Sequence, residues 1–195
     1  IKRHWLPKAP AKKCKSSAWD RLISASGFQH AMERKIHVAG YAASIDDPKS
    51  FVEHLKSEAS KLGAVVEAYD AGAILGPEHL IVAWERAHRA FSNGSAASDS
   101  EAMEARVYAS CEKQIKVAIS KTGVKRGNAG VALVSEDARA LEMVAKSLGL
   151  PRNDSVLAPT SEKLVLWGMA SLDGASVEKA ADRIFERMSL LEVER

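Results

Sequence analysis

His79 and His88 share one predicted helix, and their spacing rules out a shared role. They stand nine residues apart, about two and a half turns, so they leave opposite sides of the helix and cannot hold one metal ion. His30 and His37 flank the entry to an extended run and have no carboxylate at ligand spacing. His79 follows Gly76-Pro77 in the first turn of its helix, where backbone N–H groups are left unpaired. That makes it a candidate for touching an anion or a ribose. The same imidazole reads equally well as one satisfied by a backbone carbonyl. A small acid–base enzyme built on His79 with Glu78 or Asp70 ranks third among the functional readings.

The other reactive residue types lack catalytic surroundings. Glu101 and Glu104 sit three apart, where Glu101 is expected to cap a helix and Glu104 to pair with a basic neighbour. The serines fall outside GxSxG and SxxK patterns and read as loops and caps. Gly123, Gly127 and Gly130 are not followed by GK[ST], so they form no phosphate loop. Lys125 and Arg126 between them could contact phosphate, or form an exposed basic loop. Cys14 and Cys111 stand far apart without a CxxC partner, which points to unpaired thiols. No metal or cofactor is expected, and binding is favoured over catalysis.

The chain is 46% hydrophobic and 27% charged, an ordinary globular balance, and no apolar run approaches the roughly 20 residues of a membrane span. With no basic-apolar-small leader at the start, a cytoplasmic protein is expected. Charge is uneven. Residues 1 to 35 hold nine Lys or Arg against two acids, whereas the remainder holds nineteen against twenty-three. Such a basic arm, with Trp5, Trp19 and Phe28 as stacking faces, could hold RNA or DNA by displacing counterions. The other reading is a solvated, partly disordered tail with lysines for solubility.

Hydrophobic spacing supplies the elements that must position these groups. Residues 36 to 42 read as a strand and 48 to 62 as a helix with its stripe at Phe51, Val52, Leu55, Ala59 and Leu62. A second strand is expected near Val65, Val66 and Tyr69. Gly76-Pro77 opens a helix with Leu80, Trp84, Ala87 and Phe91 on its buried side, stopped by Asn93-Gly94. Ser98 and Glu101 have capping-box spacing, and Met103, Val107, Cys111, Ile115 and Ile119 continue a stripe through two helices or one kinked helix. Val131 to Val134 suits a strand, Leu141 to Leu148 a helix, and Leu164 to Trp167 a buried strand. The last helix begins near Ser176 and carries Val177, Ala180, Ala181, Ile184, Met188 and Leu191 along one side. The pattern predicts one α/β or α+β domain over 36 to 195, helices outweighing a small mixed sheet, behind a basic extension over 1 to 35.

The strings IleLeuGlyProGluHisLeu from Ile74, AlaHisArgAlaPhe from Ala87, GluAlaMetGlu from Glu101 and TyrAlaSerCysGluLysGlnIle from Tyr108 come in a fixed order. Together with Gly123-Val124 they resemble the central signature of the KEOPS/EKC small regulatory subunit, the p53-related-kinase-binding protein family. The resemblance is strongest from about 36 to 135, weaker beyond, and absent before 36. It implies a mixed α/β fold and a non-catalytic subunit. Such a subunit binds the small atypical kinase/ATPase of that complex and carries tRNA, including its 3′ CCA end, for threonylcarbamoyladenosine modification. The matching positions are Ile74, Gly76, His79, Leu80, Glu104, Ser110, Gln114 and Ile115. Cys111 departs from the pattern, since the family has glycine after the serine. The expected tRNA contacts are therefore Ile74, Gly76, His79, Ser110 and Gln114, with Lys125 and Arg126 from the basic loop. An apolar face at Ile184, Met188 and Leu191 is expected to dock the kinase. A general nucleic-acid binder acting through the arm is the runner-up.

Overall fold

The computed structural model describes residues 34–169 and 177–193, with side chains in the last helix described from Asp182 onward. The expected basic arm, including Trp5, Cys14, Trp19, Phe28 and His30, lies outside the described residues. The described elements are β1 (His37–Ala42), α1 (Pro48–Lys61), β2 (Val66–Asp70), α2 (Pro77–Ser92), α3 (Glu101–Ser110) and α4 (Ile115–Thr122). They continue with β3 (Gly130–Ser135), α5 (Ala138–Ser147), α6 (Ser161–Leu166) and α7 (Val177–Val193). Short 3-10 turns span Ala71–Ala73 and Asp154–Leu157.

β3 is the centre of the sheet. It pairs antiparallel with β1, from His37 opposite Ser135 to Ala42 opposite Gly130, and antiparallel with β2, from Val66 opposite Ser135 to Asp70 opposite Val131. A central strand covered on both faces must be apolar throughout rather than alternating, and every residue of β3 is buried. The pleat then sends alternate residues to opposite faces. Val131 and Leu133 join Leu55 and Ala59 of α1 and Leu141, Val144 and Ala145 of α5. Ala132 and Val134 join Leu80 and Trp84 of α2, Val107 and Tyr108 of α3, and Ile184 and Met188 of α7. The result is an α+β fold with the sheet between two helical layers.

Both outer strands carry hydrogen bonds on their outer edges. The N–H of Gly40 donates to Asp154 Oδ1 at 2.9 Å, and its carbonyl accepts from the N–H of Asn153 at 2.8 Å. That approach needs glycine, because a Cβ at position 40 would lie 2.7 Å from the Asn153 carbonyl oxygen. On the other edge, Arg106 reaches from α3 to donate to the Ala68 carbonyl at 2.9 Å and to Glu67 at 3.0 Å, with its guanidinium 4.3 Å from the Tyr69 ring centre.

One correction concerns α6. Residues Leu164 to Trp167, expected as a buried strand, belong to α6 and the turn after it. Thr160 accepts from the Lys163 N–H and starts a helix there. Lys163 and Trp167, one turn apart, face inward, while Val165 and Leu166 are exposed. A second correction concerns the cap of α3. Ser100 accepts from the Met103 N–H, whereas the N–H of the buried Ser98 donates to Glu104. Glu104 is wholly buried and also accepts from the Ala97 N–H, so it ties down the loop entering α3. Glu101 instead pairs with His88 at 3.3 Å.

Candidate nucleic-acid interface

The start of α2 is built from backbone that only glycine adopts readily. Gly76 has φ 104° and ψ 163°, a region closed to residues with a Cβ. Pro77 follows at the first helical position, where its missing N–H leaves nothing unpaired. This turn aims His79 inward. Its Nδ1 accepts from the Leu75 N–H at 3.2 Å, which leaves Nε2 to donate to the Ala109 carbonyl at 2.8 Å. Burial pulls its pKa down to about 4, against the raising effect of the Ala109 bond and with further lowering by Lys121 and Lys163. His79 is therefore a neutral tie between the start of α2 and the end of α3.

The expected contacts at Ile74, Gly76 and His79 need correcting in this light. All are buried, and the Ile74 carbonyl already accepts from Lys163 Nζ at 2.8 Å. The elements that carry them do converge with the end of α3, but they form its support rather than a surface. The Leu75 N–H and the Ala109 carbonyl hold this imidazole toward the core.

Ser110 requires the same treatment. It ends α3 rather than opening a helix, is wholly buried, and its hydroxyl donates to the Val107 carbonyl while accepting from the Glu112 N–H. The next residue, Cys111, is left-handed at φ 55° and ψ 34°. Its N–H donates to Tyr108 and that of Glu112 to Val107, the paired bonds of a Schellman turn. Burial pushes the Cys111 thiol up to about 11, which disfavours the thiolate. The expected stripe breaks here: Val107 is buried, but Ile115 and Ile119 of α4 are exposed, and Ala118 and Thr122 face inward in their place.

The turn opens onto a groove of about 310 Å³ between α3, α4 and α7. Cys111, Leu190 and Leu191 line it with apolar groups, and Glu112, Lys113, Lys121 and Arg187 supply its charges. Lys121 is held on three sides. Its Nζ donates to the Ser110 carbonyl at 2.9 Å and Glu112 Oε1 at 2.8 Å, and lies 4.1 Å from the Trp167 ring centre. Trp167 is fixed in turn by its Nε1 bond to the Ala73 carbonyl at 3.0 Å and by an edge contact with His79. Arg187 donates to the Trp167 carbonyl at 2.9 Å. Gln114 is exposed as the cap residue of α4, and its side chain makes no capping bond.

Of the sequence-chosen contacts, Gln114 is exposed, and Ser110 is buried with its carbonyl held by Lys121 of the groove. Lys125 and Arg126 are exposed on the loop that follows α4. Lys125 is tethered: its ammonium is 3.4 Å from Asp70 Oδ2 and donates to the Lys121 carbonyl. Asn128 and the Gly72 N–H share the other Asp70 oxygen. Glu112, Lys121, Trp167 and Arg187 were missed by sequence reasoning. Trp167 lay in a run read as strand, and nothing in the spacing joins Lys121 to a residue 46 positions later.

Ile184, Met188 and Leu191, expected as the docking face for a kinase, turn inward with exposures of 0, 0 and 4%. They complete the core against α2 and α3, the ordinary fate of an amphipathic stripe. On the outer side of α7, Leu190 and Val193 are exposed. Among the described residues no three His, Cys, Asp or Glu side chains are grouped to hold a metal ion, and no helix is long and apolar enough to cross a membrane.

The fold and groove define a class, an α+β domain with a shallow, mainly basic groove over an apolar floor. No family model matches the chain, and no curated protein matches it.

Proposed function

We propose that this protein is a non-catalytic RNA-carrying subunit of a KEOPS-type modifying assembly, and that the groove at the turn between α3 and α4 receives the single-stranded 3′ CCA end of tRNA. The observation that carries this reading is the groove itself. It joins three cations and one carboxylate to an apolar floor, the mixture that single-stranded ends require for backbone charge and base contact. It also lies at the tyrosine-to-isoleucine string of the family resemblance.

Two backbone facts support the resemblance independently of composition. Gly76 adopts a conformation reserved for glycine, and Cys111, where the resemblance implies glycine, is the non-glycine residue with positive φ among the described residues. A left-handed helix end is where glycine is least costly. The small atypical kinase/ATPase is the proposed protein partner. Its docking face on α7 falls to the outer side around Val193, since Ile184, Met188 and Leu191 are occupied by the core and Leu190 lines the groove.

The test is a pull-down of the small kinase and intact tRNA by one preparation of the full chain. Capture of both supports the subunit reading; capture of neither refutes it. Replacing Lys2, Lys8, Lys12, Lys13 and Lys15 by Gln separates this from a general binder acting through the arm. Groove binding keeps most of its tRNA affinity in that variant, whereas arm binding loses it along with its salt dependence.

A further inference from the structure

Glu112 is the acidic side chain in a groove whose other charges are cations, and its position is fixed from two directions. The Schellman turn holds its backbone. Lys121 holds Oε1, leaving Oε2 without a partner among the described residues. Lys121 itself has its donors engaged by Ser110, Glu112 and the Trp167 face. Two of its three N–H groups are hydrogen-bonded and its charge faces the indole, so it orients the carboxylate. Arg187 uses Nη1 on the Trp167 carbonyl, and its remaining N–H groups have no partner among the described residues.

A groove of cations alone would prefer the most highly charged end available, a terminal phosphate. An oriented carboxylate changes that preference, because an ionised carboxylate only accepts hydrogen bonds. It repels phosphate and binds vicinal hydroxyls, as an acidic residue does for the ribose of dinucleotides. Resting on the RNA-end reading above, we propose that Glu112 makes the groove selective for an RNA end with a free 2′,3′-diol. The diol hydroxyls donate to its carboxylate while Lys113 and Arg187 hold the phosphates upstream. RNA ending in a 3′-phosphate is disfavoured by charge repulsion, and a 2′-deoxy end by the loss of one donor.

The experiment is fluorescence anisotropy on the full chain with a short oligoribonucleotide ending in CCA. The 3′ end is prepared as the diol, the 3′-phosphate and the 2′-deoxy form. The diol is expected to bind about tenfold more tightly than the phosphate, the size of effect a charge-assisted bond supports. Glu112→Gln is expected to bring the two within about twofold. Lys113→Gln, far from the fold's interior, is expected to weaken every ligand and leave the ratio unchanged. Equal or tighter binding of the phosphate by the unaltered chain overturns the proposal, as does a ratio that survives Glu112→Gln. Binding without discrimination removes the role of Glu112 but leaves the RNA-end reading standing. Binding to none of the three removes both.

Discussion

The Lys121 ammonium lies 4.1 Å from the centre of the Trp167 ring, and this stack joins the groove to the buried start of α2. Behind the indole stands His79, in edge contact at 5.4 Å between ring centres. One wall of the groove is thus continuous with the Gly76 turn. Trp167→Leu removes the cation–π contact, the Nε1 bond to Ala73 and much buried surface. It is expected to cost about 3 kcal/mol in urea denaturation. Trp167→Phe keeps a ring face and is expected to cost about 1–2 kcal/mol. RNA affinity should follow the same order, because Lys121 loses its platform more completely with leucine.

His79 makes stability depend on pH in a defined window. Its folded pKa, about 4, is below its ordinary value of 6.5, so between these values the unfolded chain binds a proton that the folded chain refuses. Stability from this group is fully present above pH 6.5 and falls as pH drops toward 4, by roughly 3 kcal/mol in all. Denaturation midpoints of the unaltered chain and His79→Gln, measured at pH 7 and pH 4.5, provide the check. The variant should be less stable at pH 7 and lose less on acidification. Parallel losses in both proteins would show that other groups carry the dependence.

Cys111 is expected to tolerate glycine better than a branched residue. A side chain in the left-handed region costs about 1 kcal/mol relative to glycine, partly offset here by burial of the thiol. Cys111→Gly should be neutral or more stable by up to about 1 kcal/mol, and Cys111→Val less stable by about 1–2 kcal/mol. Thermal melts of the two variants read this directly, and the opposite order would contradict the left-handed turn.

Gly76→Ala forces a Cβ into the φ 104°, ψ 163° conformation, which only glycine occupies freely. The expected loss is about 2–3 kcal/mol. It should be accompanied by faster amide exchange at Leu75, whose N–H is held by His79. Unchanged exchange at Leu75 would separate the turn from the histidine tie.

Much of the fold was legible because its signals are local. Pro48 opens α1, Gly76 and Pro77 begin α2, and the apolar run Val131 to Val134 marks β3 as a strand. The errors arose where long-range packing decides. Leu164 to Trp167 has a strand's composition, but Lys163 and Trp167, one helical turn apart, are the residues that packing buries. Ile115 and Ile119 continue the stripe of Val107 in sequence, but the left-handed turn at Cys111 restarts the helix at a new angle and exposes them. At the candidate site, the string from Tyr108 to Ile115 contains Cys111, Glu112 and Lys113 of the groove, but Ser110 is buried and Gln114 is not in the lining. The groove's charged residues could not be grouped from spacing, because Glu112, Lys121 and Arg187 meet only after three helices pack. His79 was singled out correctly as special, although its distinction is a buried tautomer and not an exposed ligand contact.

The most direct measurement is the affinity of the full chain for intact tRNA against the same tRNA lacking its terminal CCA, at one fixed salt concentration. A groove that receives the 3′ end predicts binding at least about tenfold weaker without it, and a similar loss for intact tRNA on the charge reversal Arg187→Glu. Equal affinity for the two RNAs would contradict the proposed function at its centre.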